Sequence, residues 1–129
     1  MRRWLAIGAA NGFVAVAVGS FAAHGLEGRV SAEAQGWIAT GLDYQMAHAL
    51  ALLAVAWLAG HGGGGRPVAT AGWAFLAGCV LFSGTLYVMA LTGARGLGIV
   101  VPVGGLAFLA GWAALFVAAR RGFAASPGG

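Results

Sequence analysis

Apolar and polar positions along this chain neither alternate at the two-residue period of a strand nor form the one-sided stripe of a soluble helix. They separate into blocks. Four windows carry no Asp, Glu, Lys or Arg: 4–26, 44–65, 67–94 and 96–119. A helix rises about 1.5 Å per residue, so about 20 residues cross a hydrocarbon layer of about 30 Å. Every window is long enough. The pattern predicts a single all-α membrane domain over 1–129, a four-helix transmembrane bundle with spans near 5–23, 43–60, 68–91 and 98–119.

The punctuation between blocks fits that layout. Ser31 precedes the run "AEAQGW" and is placed to cap a helix, so the second helix is expected to begin outside the hydrocarbon, near residue 31. Trp37 then stands where an interfacial anchor belongs. "GHGGGGRP" reads as a turn, because glycine runs resist regular structure and Pro67 suits a helix start. Residues 122–129, "GFAASPGG", read as a disordered tail. The first span begins after two arginines and ends near small residues, like a secretory signal, but its apolar run exceeds the usual 7 to 15 residues or so, and a retained span is expected.

Composition strengthens the membrane reading. The chain is 60% hydrophobic and 8% charged, with a mean hydropathy of +0.88. The pI of 10.7 does not point to nucleic acid, since the arginines mark the ends of apolar runs and form no patch. Arg2, Arg3, Arg66, Arg120 and Arg121 fall on one side of a four-span layout, Arg29 and Arg95 on the other. That bias predicts both termini in the cytoplasm and a bacterial plasma (inner) membrane location. The single Cys79 lies inside a span and carries no disulfide framework.

Small residues form a second pattern. Gly8, Gly12, Ala15 and Gly19 recur at helical spacing in span one, and Gly104, Gly105 and Gly111 sit beside Phe108 and Trp112 in span four. Such stripes let helices approach closely in lipid, where packing holds them together. Packing within one monomer is the plainer use; an oligomer seam is the alternative.

The chemistry is concentrated in "GLDYQMAHALALLA", residues 41–54, where polar groups open an apolar segment. Trp37, Gly41, Tyr44 and His48 share a face at spacings of three and four, and Cys79, Ser83 and Tyr87 do so in span three. With span one ending at His24 and span four entering at Pro102, these groups are expected to converge in the outer half of the bilayer. A polar group facing hydrocarbon alone costs several kcal/mol. They are therefore expected to meet one another. The structural use has His48 tying helices two and three, Asn11 bonding a backbone group, Asp43 pairing with Arg95 or Arg29, and His24 closing a helix end. The functional use is a pocket for a hydrophobic small molecule, lined by His24, Tyr44, His48, Ser83 and Tyr87.

"VGSFAAHGL", "GWIATGLDYQMAHALALL", "LFSGTLY" and "VPVGGLAFLAGW" together resemble, in order and over nearly the whole chain, an uncharacterised family of small four-helix membrane proteins. That family is widespread in bacteria, with small eukaryotic transmembrane relatives, and is known only as a domain of unknown function. The resemblance implies a four-helix transmembrane bundle and assigns no activity. Where a threonine is common before the proline of the last block, this chain has Val101.

No phosphate loop, facing carboxylates, oriented nucleophile or metal-ligand spacing occurs, so no catalytic or metal residue is assigned. The expected protein is a non-enzymatic accessory or ligand-binding component whose ligand is a lipid or quinone headgroup. A homo-oligomeric channel or transporter is one alternative, and a redox component holding haem between His24 and His48, or a quinone, is another. A larger membrane complex fits any of these.

Overall fold

The structure, a computed structural model, describes residues 1–62 and 65–122; the expected tail beyond Gly122 lies outside the described residues. Four long apolar helices dominate it, each of membrane-spanning length. The first is α1 (Arg2–Gly25) and the second α2 (Ala32–Gly60). The third, Gly65–Thr92, is composite: α3 (Gly65–Gly78), a π-helical segment (Cys79–Gly84) and α4 (Thr85–Thr92). A 3-10 turn (Arg95–Ile99) leads into α5 (Val101–Arg121).

Local chemistry explains the ends. The Ser31 hydroxyl accepts a hydrogen bond from the Ala34 N–H at 3.1 Å, satisfying one of the donors a helix start leaves open. The third helix stops at Gly93, whose φ of +72° is a left-handed conformation that glycine adopts at no steric cost; its N–H reaches the Met89 carbonyl at 2.8 Å. Pro102 enters α5 in the first turn, where its missing N–H is not needed.

The helices run alternately up and down. α2 packs against the third helix, and α1 and α5 flank that pair, α1 lying along α2 and α5 along α3. Two apolar clusters fill the interior. The larger gathers Trp4, Leu52, Val55, Val68, Phe75 and Phe108 toward the arginine-rich end. The smaller joins Ala34, Ile38 and Ala90 at the opposite end. Between them α2 contributes Gly41, Gln45 and His48, all buried, so the polar groups form a layer sandwiched by apolar packing.

Trp37 and Trp57 stand about 30 Å apart along α2. That spacing matches the hydrocarbon thickness and the placement of interfacial tryptophans. On this scale His48 lies about 16 Å along α2 from Trp37. At the Glu33 end, Arg95 donates both guanidinium N–H groups to the Glu33 carboxylate, at 2.6 and 2.9 Å, and lies 5.6 Å above the Trp37 ring. This takes Arg95 from the expected pairing of Asp43 with Arg95 or Arg29, because Glu33, in the first turn of α2, is level with the Arg95 turn. Asp43 is exposed, with no ion pair among the described residues.

Candidate functional site

Two polar arrangements, not one, grow from α2. Gly41 and Gln45 face α1 and the third helix. Ser83, wholly buried in the π-helical segment, donates to the Gly41 carbonyl at 2.7 Å. The Tyr87 hydroxyl donates to Gln45 Oε1 at 2.7 Å, and Gln45 Nε2 donates to Asn11 Oδ1 at 3.3 Å. Asn11 Nδ2 in turn donates to the Ile7 carbonyl at 3.0 Å. Three helices are thereby tied through groups that would otherwise face hydrocarbon without a partner, and no buried side-chain polar atom among the described residues is left unbonded.

Tyr44 and His48 point the other way, toward α5. His48 Nδ1 lies 2.7 Å from the Tyr44 carbonyl oxygen, which can only accept, so Nδ1 carries the proton. His48 Nε2 then accepts from Trp112 Nε1–H at 3.1 Å. Both contacts are met together only by the neutral ring protonated at Nδ1. Phe108 stacks on the imidazole at 3.6 Å between ring centres, nearly parallel. Tyr44 leans on Phe82 at 4.4 Å and is 44% exposed; its hydroxyl makes no hydrogen bond among the described residues.

Between α2, the π-helical segment and α5 opens a groove of about 600 Å³, lined by Tyr44, His48, Phe82, Phe108, Leu109 and Trp112, with Pro102 and Gly105 at its rim. Its walls are aromatic and its mouth is lateral, toward the apolar surface that Leu106 and Leu109 present. The π-helical turn contributes here. Its wider coil lets Gly104 of α5 come against the backbone of Leu81 and Phe82, where a Cβ has no room, and swings Phe82 into the groove wall.

Of the residues expected to line a pocket, Tyr44 and His48 line this groove. Ser83 and Tyr87 do not: their hydroxyls are used in the other arrangement. The expected tie from His48 to the third helix is corrected on the same ground, since Tyr87 bonds Gln45 and the imidazole reaches Trp112 instead. His24 joins neither group. It is exposed in the last turn of α1, at the end of the bundle, and does not face His48. Sequence reasoning passed over Gln45 and Trp112 as site residues. The available signal was the polar inventory of the spans: an amide and an indole N–H inside hydrocarbon each require a partner.

The glycines divide as well. A Cβ on Gly8 would sit 2.8 Å from Leu53, so α1 and α2 are in close contact there; Gly19 meets Leu42 at an ordinary 3.6 Å. Gly12 and Gly105 have open space where a packing role was expected. Gly41, Gly72, Gly78 and Gly111 make closer approaches, to Tyr87, Trp4, Phe108 and Phe75.

Residues 18–105 match a family model described as "Protein of unknown function (DUF423)". The chain belongs to this family. It is 46% identical over 122 residues to the UPF0382 membrane protein YwdK of Bacillus subtilis, covering 94% of this chain and 98% of that one. It is also 46% identical to the UPF0382 inner membrane protein YgdD of Escherichia coli over 123 residues, 93% and 91% of the two chains. A Haemophilus influenzae UPF0382 membrane protein is 42% identical over 113 residues, 88% and 90%. No solved structure matches. This member of the family is a bacterial integral membrane protein, and the family has no assigned activity.

Proposed function

We propose that this protein is a non-enzymatic membrane component that binds a lipid- or quinone-type molecule in the groove between α2 and α5, with both termini in the cytoplasm. The groove carries the reading. It is concave, aromatic, open to the side from which a lipid-soluble molecule arrives, and furnished with one unspent donor, the Tyr44 hydroxyl. A flat ring stacks between Phe82, Phe108 and Trp112, Tyr44 donates to its carbonyl or headgroup oxygen, and an isoprenoid or acyl tail leaves between Leu106 and Leu109 into the bilayer. His48 takes no part in binding through Nε2. It holds the Trp112 indole in place and so shapes the wall.

The alternatives draw less support. A bis-histidine haem needs His24 opposite a free His48 nitrogen, and neither condition is met by the geometry. An oligomeric channel seamed along span one would use a stripe whose Gly8 and Ala15 are buried within the chain. The topology rests on five arginines at the end where α1 starts and α5 stops against two at the other.

Native mass spectrometry of the protein extracted with its own lipids tests the binding. Wild type retains a discrete apolar adduct. Gly105→Phe, which adds a ring where a Cβ meets nothing within 4 Å, loses it while remaining folded. An adduct that survives in this variant places the ligand, if any, elsewhere and ends the reading.

A further inference from the structure

The arginine-rich end holds a second cavity, of about 300 Å³, between the start of α1, the end of α2 and the start of α3; Arg3, Trp4, Ala59, Gly62, Gly65 and Val68 line it. We propose that it binds the phosphodiester headgroup of an anionic phospholipid.

Arg3 is held for that role. Its guanidinium lies 4.9 Å from the centre of the Trp4 ring and 5.9 Å from that of Trp73. The two indoles meet edge to face at 5.2 Å, Trp4 is fully buried, and Gly72 gives it room, so the platform under the cation is packed rather than loose. Stacking occupies the faces of a guanidinium and leaves its N–H edge to donate, the geometry that suits paired phosphate oxygens. Among the described residues Arg3 has no hydrogen bond and no ion pair. No acid is near to supply one: Glu27 and Glu33 are at the opposite end, and Asp43 lies well along α2 from this cavity. Arg2 and Arg66 are at the same end of the bundle, next in the chain to the lining residues Arg3 and Gly65. Among the described residues Arg3 thus has no anionic partner, and an anionic ligand would supply one.

The surroundings select a lipid over a free ion. Trp73, about half exposed and against both Arg3 and Trp4, continues the platform onto the lipid-facing surface, where acyl chains lie and a mobile phosphate has nothing to gain. Basic pockets between helices at the membrane surface are suited to such headgroups, because the ion pair forms in a medium less polar than water. This site is separate from the aromatic groove and stands or falls without it.

The test uses the full chain in bilayer discs of phosphatidylcholine with a minor fraction of phosphatidylglycerol, and reads the lipids retained by native mass spectrometry. Wild type retains phosphatidylglycerol several-fold above its share. Arg3→Gln brings retention close to the bulk ratio, and so does Ala59→Phe, which fills the cavity and leaves every arginine in the chain. Arg121→Gln, at the same end but outside the cavity, retains the wild-type ratio. Unchanged enrichment in Arg3→Gln or Ala59→Phe overturns the proposal. An equal loss in Arg121→Gln overturns it too, since a diffuse field then does the selecting. Displacement of the lipid by excess inorganic phosphate would reassign the cavity to a free anion.

Discussion

At residue 48 two neighbours on different segments decide the tautomer. The Tyr44 carbonyl requires a donor at Nδ1 and the Trp112 indole requires an acceptor at Nε2. Trp112→Phe keeps a ring in the groove wall but strands a buried lone pair, and is expected to destabilise the bundle by about 1–3 kcal/mol. Reversible unfolding in bicelles measures it, and a change within error would mean that the imidazole turns to another donor. The Tyr87–Gln45 bond is an interhelical tie of the ordinary kind; a double-mutant cycle with Tyr87→Phe and Gln45→Leu should give a coupling of about 0.6–1.7 kcal/mol. Asp43 is the reverse case, a carboxylate on an exposed face about 9 Å along the helix from Trp37. Replacing it by leucine exchanges a residue disfavoured in hydrocarbon for a favoured one. Asp43→Leu is therefore expected to raise the melting temperature in lipid, and a lowered one would reveal a partner outside the chain.

Among elements, the π-helical segment separates the sequence reading from the fold. Nothing in "CVLFSG" announces it: its residues are ordinary for an apolar helix, and its wider turn is settled by what packs on either side. Gly104 presses on its backbone and Ser83 is drawn to the Gly41 carbonyl. Gly104→Leu has no side chain to push aside, only main chain, and should cost more than the 1–3 kcal/mol or so of ordinary overpacking. Deleting Val80, which is exposed, removes the extra residue of the wide turn and lets the segment close as an ordinary α-helix with the residues on either side still in register. Tyr87 then stays on Gln45, and the expected result is a retained Tyr87–Gln45 coupling in the cycle above with the helix intact by circular dichroism; a lost coupling would show that the wide turn itself sets the register. Helix starts and stops were more legible than this interior irregularity. Ser31, Gly93 and Pro102 act through their own side chain or lack of one, so each can be read without knowing its neighbours.

Across the whole molecule, the charge pattern and the packing answer different questions. Length, windows free of charge and the arginines at their ends are properties of the chain in order, and a bilayer imposes the same demand on each segment separately: every backbone polar group must be bonded within its own helix. Four spans, their approximate limits and their up-and-down course follow from that demand alone. It also requires that the few polar side chains inside hydrocarbon find partners. It does not say which. One helix offers several faces, and the 37–48 stripe of α2 reads as a single face until its neighbours are placed. Packing then sends Gln45 to Tyr87 and Asn11, His48 to Trp112, and leaves His24 at the rim. The composition of the chain thus determined the solvent it lives in and the number of membrane-length helices, because those depend on summed transfer energies. Which polar groups are consumed as ties, which one stays free beside a groove, and which arginine has no acidic partner among the described residues were decided only by tertiary contact, because hydrogen bonds and stacking depend on direction and on distances of a few ångströms.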